Sequence, residues 1–137
     1  MNAAHARLTA TAFLEAYRRC SLQRHPIDEG QEGMFLPALI CAAFAAEVGL
    51  KALLLQDGEL VTGHDLYDLF DRLSPELKES ITGLTGIDSE SFMQRLLAAR
   101  RAFIDWRYMF EFQDERSISL EFVARFATAV VRTNPRP

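Results

Sequence analysis

The run from Met34 to Leu55 constrains the fold more than any other part of the chain. It is apolar almost all round and is interrupted by Glu47, Gly49 and Lys51. A helix with one apolar stripe can lie on a surface, but a helix apolar on every side has to be surrounded. The uninterrupted part is shorter than the roughly 20 residues that a bilayer crossing needs. The run therefore predicts the central helix of a bundle over Phe35–Gln56, not a membrane span. Pro37 falls in the expected first turn, where a missing N–H costs nothing, and Asp57-Gly58 marks the end.

The rest of the chain supplies helices to surround it. Ala6, Ala10, Phe13, Tyr17 and Cys20 recur on one face of an expected helix over Asn2–Arg24. Pro26 and the polar stretch Asp28–Gly33 then read as a loop, and as the most mobile part of the chain. Leu66, Leu69, Phe70 and Leu73 give a short helix over Asp65–Leu73, with His64 or Asp65 available to cap it. Ser74, Pro75 and Glu76 form the start signal of a second short helix that Gly83 and Gly86 finish. From Asp88 or Ser89 the stripe Phe92, Leu96, Ala99, Phe103, Trp106, Phe110 predicts one helix running to about Phe112. Gln113–Ser117 breaks it, and Ser119 caps a last helix that turns Phe122, Val123, Phe126, Ala127, Val130 and Val131 inward. No segment alternates at period two for long enough to need a strand. The expectation is all-α: an antiparallel, up-and-down bundle of four long helices plus two short ones. Its 137 residues suit one domain, with a core over 2–133 and a frayed tail over 134–137.

Charge and cysteine usage narrow the function classes. The net charge is −4, which lacks the basic excess that phosphate contacts give a constitutive DNA binder. Lys51 and Lys78 are the only lysines, so the positive charge is nearly all arginine, the residue suited to bidentate recognition of phosphate or carboxylate. Arg95, Arg100 and Arg101 read as a solvated strip. Cys20 and Cys41 have no Cys-x-x-Cys spacing and read as buried apolar thiols of a cytoplasmic protein. Met1–Ala12 has no continuous apolar core of the kind a signal peptide carries.

Three places put chemistry-bearing side chains against this background. Glu47 and Lys51 lie four apart on the most apolar helix, where each charge needs a partner. His64 stands at a helix start in Gly63-His64-Asp65-Leu66, and its intrinsic pKa suits proton transfer near neutrality. Arg107 follows Trp106 beside an apolar stripe, with Tyr108 and Glu111 close by on the same predicted helix. An arginine there can snorkel or pair with a carboxylate. Were it to meet His64, the two could serve a phosphodiester, with arginine stabilising charge and histidine moving the proton. No glycine-rich phosphate loop, zinc-protease motif or nucleophile elbow is present, and no metal or other cofactor is expected.

Together, Ala46–Leu54, Gly63-His64-Asp65-Leu66 leading to Leu69 and Leu73, and Phe103–Glu111 with Trp106-Arg107-Tyr108 resemble the HEPN family of bacterial helical bundles over roughly Leu36–Val131. The resemblance implies an up-and-down bundle that forms a homodimer in the cytoplasm, with no membrane contact. It implies one of two activities: binding of RNA, a nucleotide or an antitoxin-like protein partner, or metal-independent ribonuclease action in toxin–antitoxin or phage-defence settings. The nuclease members carry an R-x4–6-H motif late in the bundle. Here no histidine follows Arg100, Arg101, Arg107 or Arg125, and the spacing occurs only where Arg18 or Arg19 precedes His25. The expected polar cluster is accordingly Glu47, Lys51, Asp65, Tyr108 and Glu111, with His64 and Arg107 as its catalytic candidates. The leading reading is a binding module with degenerate catalytic chemistry. The alternatives are a ribonuclease using Arg107 and His64, and a protein-interaction subunit presenting Trp106, Phe110 and Phe112.

Overall fold

The computed structural model describes residues 2–22, 28–102 and 119–133, with side chains of 28–35 left aside. Among the described residues the secondary structure is entirely helical: α1 (Ala3–Leu22), α2 (Asp28–Gln56), α3 (Leu66–Asp71), α4 (Pro75–Thr85), α5 (Ser89–Ala99) and α6 (Leu120–Arg132). The expected breaks at Pro26 and Gln113–Ser117 and the expected tail over 134–137 fall outside the described residues.

The helix starts follow from side-chain capping. The first backbone N–H groups of a helix have no carbonyl partner within it, so an oxygen just before the helix must supply one. Asp65 accepts from the N–H groups of Tyr67 and Asp68 at the start of α3. Ser74 does so for Leu77, ahead of Pro75 at the first turn of α4. Asp88 accepts from Ser91 at the start of α5, and Ser119 from Phe122 at the start of α6. Gly86 closes α4 in the left-handed conformation.

Helix α2 is the centre of the packing, in contact with α1, α3 and α6. Leu39, Ala42, Ala43, Ala45, Ala46, Leu50 and Leu54 are all buried along it. The segment Leu36–Gln56 is long and apolar enough to cross a membrane by length and composition, and 72% of its most apolar window is buried inside the protein. Phe70, Phe92, Phe122 and Phe126 from α3, α5 and α6 form a ring cluster with centroids 5.2 to 6.0 Å apart. Such tilted and edge-on pairs contribute about 0.5–1.5 kcal/mol each beyond their burial.

The small residues of α1 and α2 let the two helices approach closely. Ala6, Ala10, Val48 and Ala52 form their own buried cluster. Gly49 sits where a Cβ would lie 2.7 Å from Val130 Cγ1 of α6 and 3.7 Å from Ala10 Cβ of α1. Three helices therefore meet at an α2 position that has no side chain.

Three expectations are corrected. Asp28–Gly33 is not a loop: α2 begins at Asp28, and Pro37 lies inside the helix instead of in its first turn. A proline there withholds one hydrogen bond, from the carbonyl of Gly33, and that loss is local. Secondly, α5 ends at Ala99, short of the expected continuous helix to Phe112. The Arg100 N–H bonds back to Leu97, while the Arg100 carbonyl accepts the N–H of Leu66 at 2.7 Å. That bond satisfies a free donor at the start of α3 and ties the end of α5 to it. Thirdly, Cys20 and Cys41 are only partly buried.

Candidate functional site

One carboxylate on the central helix organises the best-defined polar site. Glu47 is 1% exposed in a helix otherwise filled with alanine and leucine. Its Oε2 accepts from Lys51 Nζ at 3.1 Å, one helical turn on, and meets His64 Nδ1 at 3.0 Å. Lys51 is mostly buried along its stem, whereas the His64 side chain is 55% exposed. The three residues thus run from the interior outward: a buried anion, a cation at its edge, and an imidazole at the surface.

Local backbone chemistry places His64. Gly63 has φ of 104°, a conformation that side chains disfavour, and it turns the chain into the start of α3. Asp65 then caps the helix, so His64 is held between a fixed turn and a fixed cap. An ionised carboxylate only accepts hydrogen bonds, so Glu47 selects the tautomer with hydrogen on Nδ1. The basic lone pair of the neutral ring then resides on Nε2.

Glu47 Oε1 is the one buried side-chain polar atom without a hydrogen-bond partner among the described residues. A buried oxygen of this kind has lost its water and gained nothing in return, so it calls for an explanation. All the hydrogen bonding to Glu47 converges on one oxygen.

Asp65 follows His64 in the chain but belongs to a different cluster. Its Oδ1 caps α3, and its Oδ2 accepts from Arg100 Nε at 2.7 Å. Arg100 also reaches Asp68 at 3.2 Å and lies 5.3 Å from the centre of the Tyr67 ring. The hydrogen bond that Arg100 donates to Asp65 holds the guanidinium above its ordinary pKa. Arg100 is therefore a brace between α3 and α5, where the sequence suggests a solvated strip. The Asp65, Tyr67 and Asp68 spacing displays an acidic first turn, but nothing in it points to an arginine so distant in the chain.

The structure thus brings Glu47, Lys51 and His64 together and directs Asp65 away from them. Arg107, Tyr108 and Glu111, with Trp106, Phe110 and Phe112, lie outside the described residues. Among the described residues, no group of three or more His, Cys, Asp or Glu side chains is placed to hold a metal ion. An open groove of about 490 Å³ between α4 and the start of α5 includes Phe70, Lys78, Ile87 and Met93 in its lining but none of the Glu47 cluster. Comparison with known proteins returns no match to a family model, a curated protein or a solved structure.

Proposed function

We propose that this chain is a HEPN-like module, an antiparallel up-and-down bundle of four longer and two short helices that dimerises in the cytoplasm. In this reading it binds RNA or a nucleotide through phosphate at the surface beside Lys51 and His64. The observation that carries the proposal is the single Glu47 oxygen shared by an ammonium and an imidazole. A buried ion pair gives a fold little that well-packed apolar residues would not give. A role in binding explains why the chain carries one here, because Glu47 holds the Lys51 ammonium and the His64 ring in place at the edge of the core. The three family-like segments support the same assignment, since two of them contain these residues.

A second reading is a metal-independent ribonuclease of the toxin or phage-defence type. The tautomer that Glu47 selects favours it, because a ring held at Nδ1 is oriented to move a proton at Nε2. Arg107 would then stabilise the developing charge.

The test is one experiment on purified protein in excess chelator, with a labelled single-stranded RNA oligonucleotide and with ATP as separate probes. Binding of at least one probe without turnover is expected, weakened about tenfold or more in His64→Ala and Lys51→Met, in keeping with lost charge-assisted hydrogen bonds. Failure of the folded protein to bind either probe sinks the binding reading. RNA cleavage that disappears in both His64→Ala and Arg107→Ala replaces it with the ribonuclease.

A further inference from the structure

Helices α1 and α2 pack along much of their length. Their contacts run in opposite order along the two helices. Ala10 lies against Gly49, Phe13 meets Phe44 edge-on with centroids 4.5 Å apart, and Cys20 lies beside Cys41. The two thiols are close enough for Cys20 to influence the ionisation of Cys41. Both are free, and both are partly exposed. Two reduced thiols facing each other across a helix interface are not a packing necessity, since alanine or serine fills such positions equally well.

We propose that Cys20 and Cys41 are a redox-sensitive pair that closes into a disulfide between α1 and α2. The reaction partner is a small disulfide of the glutathione class. One cysteine thiolate attacks a sulfur of oxidised glutathione and expels one glutathione thiolate. The other cysteine, as thiolate, attacks the resulting mixed disulfide and expels the second. The protein gives up two protons and two electrons, one S–S bond forms in it, and two molecules of reduced glutathione leave.

The environment sets how readily the pair reacts. Burial first, and then the neighbouring Cys20, push the Cys41 thiol above its ordinary pKa. A thiol that ionises reluctantly is a slow nucleophile, so closure follows sustained oxidation of the glutathione pool and not a brief pulse. Closure pins the last turn of α1 to the helix that carries Glu47. It also closes a loop of about 20 residues in the unfolded chain, which constrains that state and raises Tm by about 5–10 °C.

The test treats the full native chain with oxidised glutathione and follows it by intact mass, peptide mapping and thermal melting. The expected product is a chain lighter by about 2 Da, with the Cys20 and Cys41 peptides linked within one molecule and a raised Tm that reductant reverses. In Cys20→Ser no linked peptide forms and the rise in Tm is lost. A stable adduct carrying glutathione on both cysteines, linkage only between separate chains, or two unreacted thiols would each overturn the proposal. So would a Tm increase that survives in Cys20→Ser.

Discussion

His64 and Asp65 are neighbours in the chain, yet they serve two charge clusters of opposite character. The Glu47 cluster is rooted in the interior, where one carboxylate oxygen takes both donors and the other takes none. The Asp65 cluster lies at the surface between α3 and α5, and each Asp65 oxygen has its own partner. Water surrounds the second cluster and screens it, so its geometry can be good without contributing much stability. The first has given up its water, so breaking its pairing leaves a buried polar group uncompensated. A well-satisfied network at the surface is explained by local structure, whereas a poorly satisfied one in the core points to function.

The largest expected effect comes from breaking the buried pair. Lys51→Met leaves Glu47 with His64 alone, and removal of one partner from a buried pair costs about 3 kcal/mol. Urea unfolding measures this directly. The double replacement Glu47→Leu with Lys51→Met removes both charges and should recover most of that loss, while probe binding stays weakened. If the double variant is as unstable as the single one, the cluster is part of the folding core and the contrast with Asp65 disappears.

Next in size is Gly49→Ala, on the same helix. The added methyl would sit 2.7 Å from Val130 Cγ1, and Val130 is buried and branched at Cβ, with little freedom to turn aside. Overpacking of this kind costs about 2 kcal/mol, although alanine favours a helix more than glycine does. Comparable stability in Gly49→Ala would show that α6 can slide away from α2, and that the centre is softer than its packing indicates.

Much of this arrangement is legible in the sequence. Asp65, Ser74, Asp88 and Ser119 announce four helix starts because a cap is a local interaction, settled within a few residues. Phe122, Phe126 and Val130 show their buried face through periodicity alone. Glu47 and Lys51 declare a pair because they are one turn apart on an apolar helix. What is not legible depends on distant partners. Arg100 leaves the helical pattern of its own segment because its carbonyl and guanidinium both bond to the start of α3. Cys20 and Cys41 look like isolated core residues until the register of α1 on α2 sets them side by side. Asp28–Gly33 reads as a loop because its two glycines and Asp28 weaken helix propensity, and propensity is a weak prior against the context of a long helix.

The smallest effects belong to the surface cluster, where they can be separated by two substitutions at one position. Asp65→Ala removes the α3 cap together with the Arg100 pair, and loss of a cap costs about 1 kcal/mol. Asp65→Asn keeps an oxygen able to accept from Tyr67 and Asp68 but gives up the charge that faces Arg100. The cap is a hydrogen bond that salt does not screen, whereas the exposed ion pair weakens as ionic strength rises. Asp65→Asn should therefore melt closer to the unmodified protein than Asp65→Ala does, and its small deficit should shrink further in about 1 M salt, where the screening length is only about 3 Å. Equal losses in the two variants, undiminished by salt, would mean that the Arg100 brace outweighs the cap. The surface cluster would then share the energetic character of the buried one.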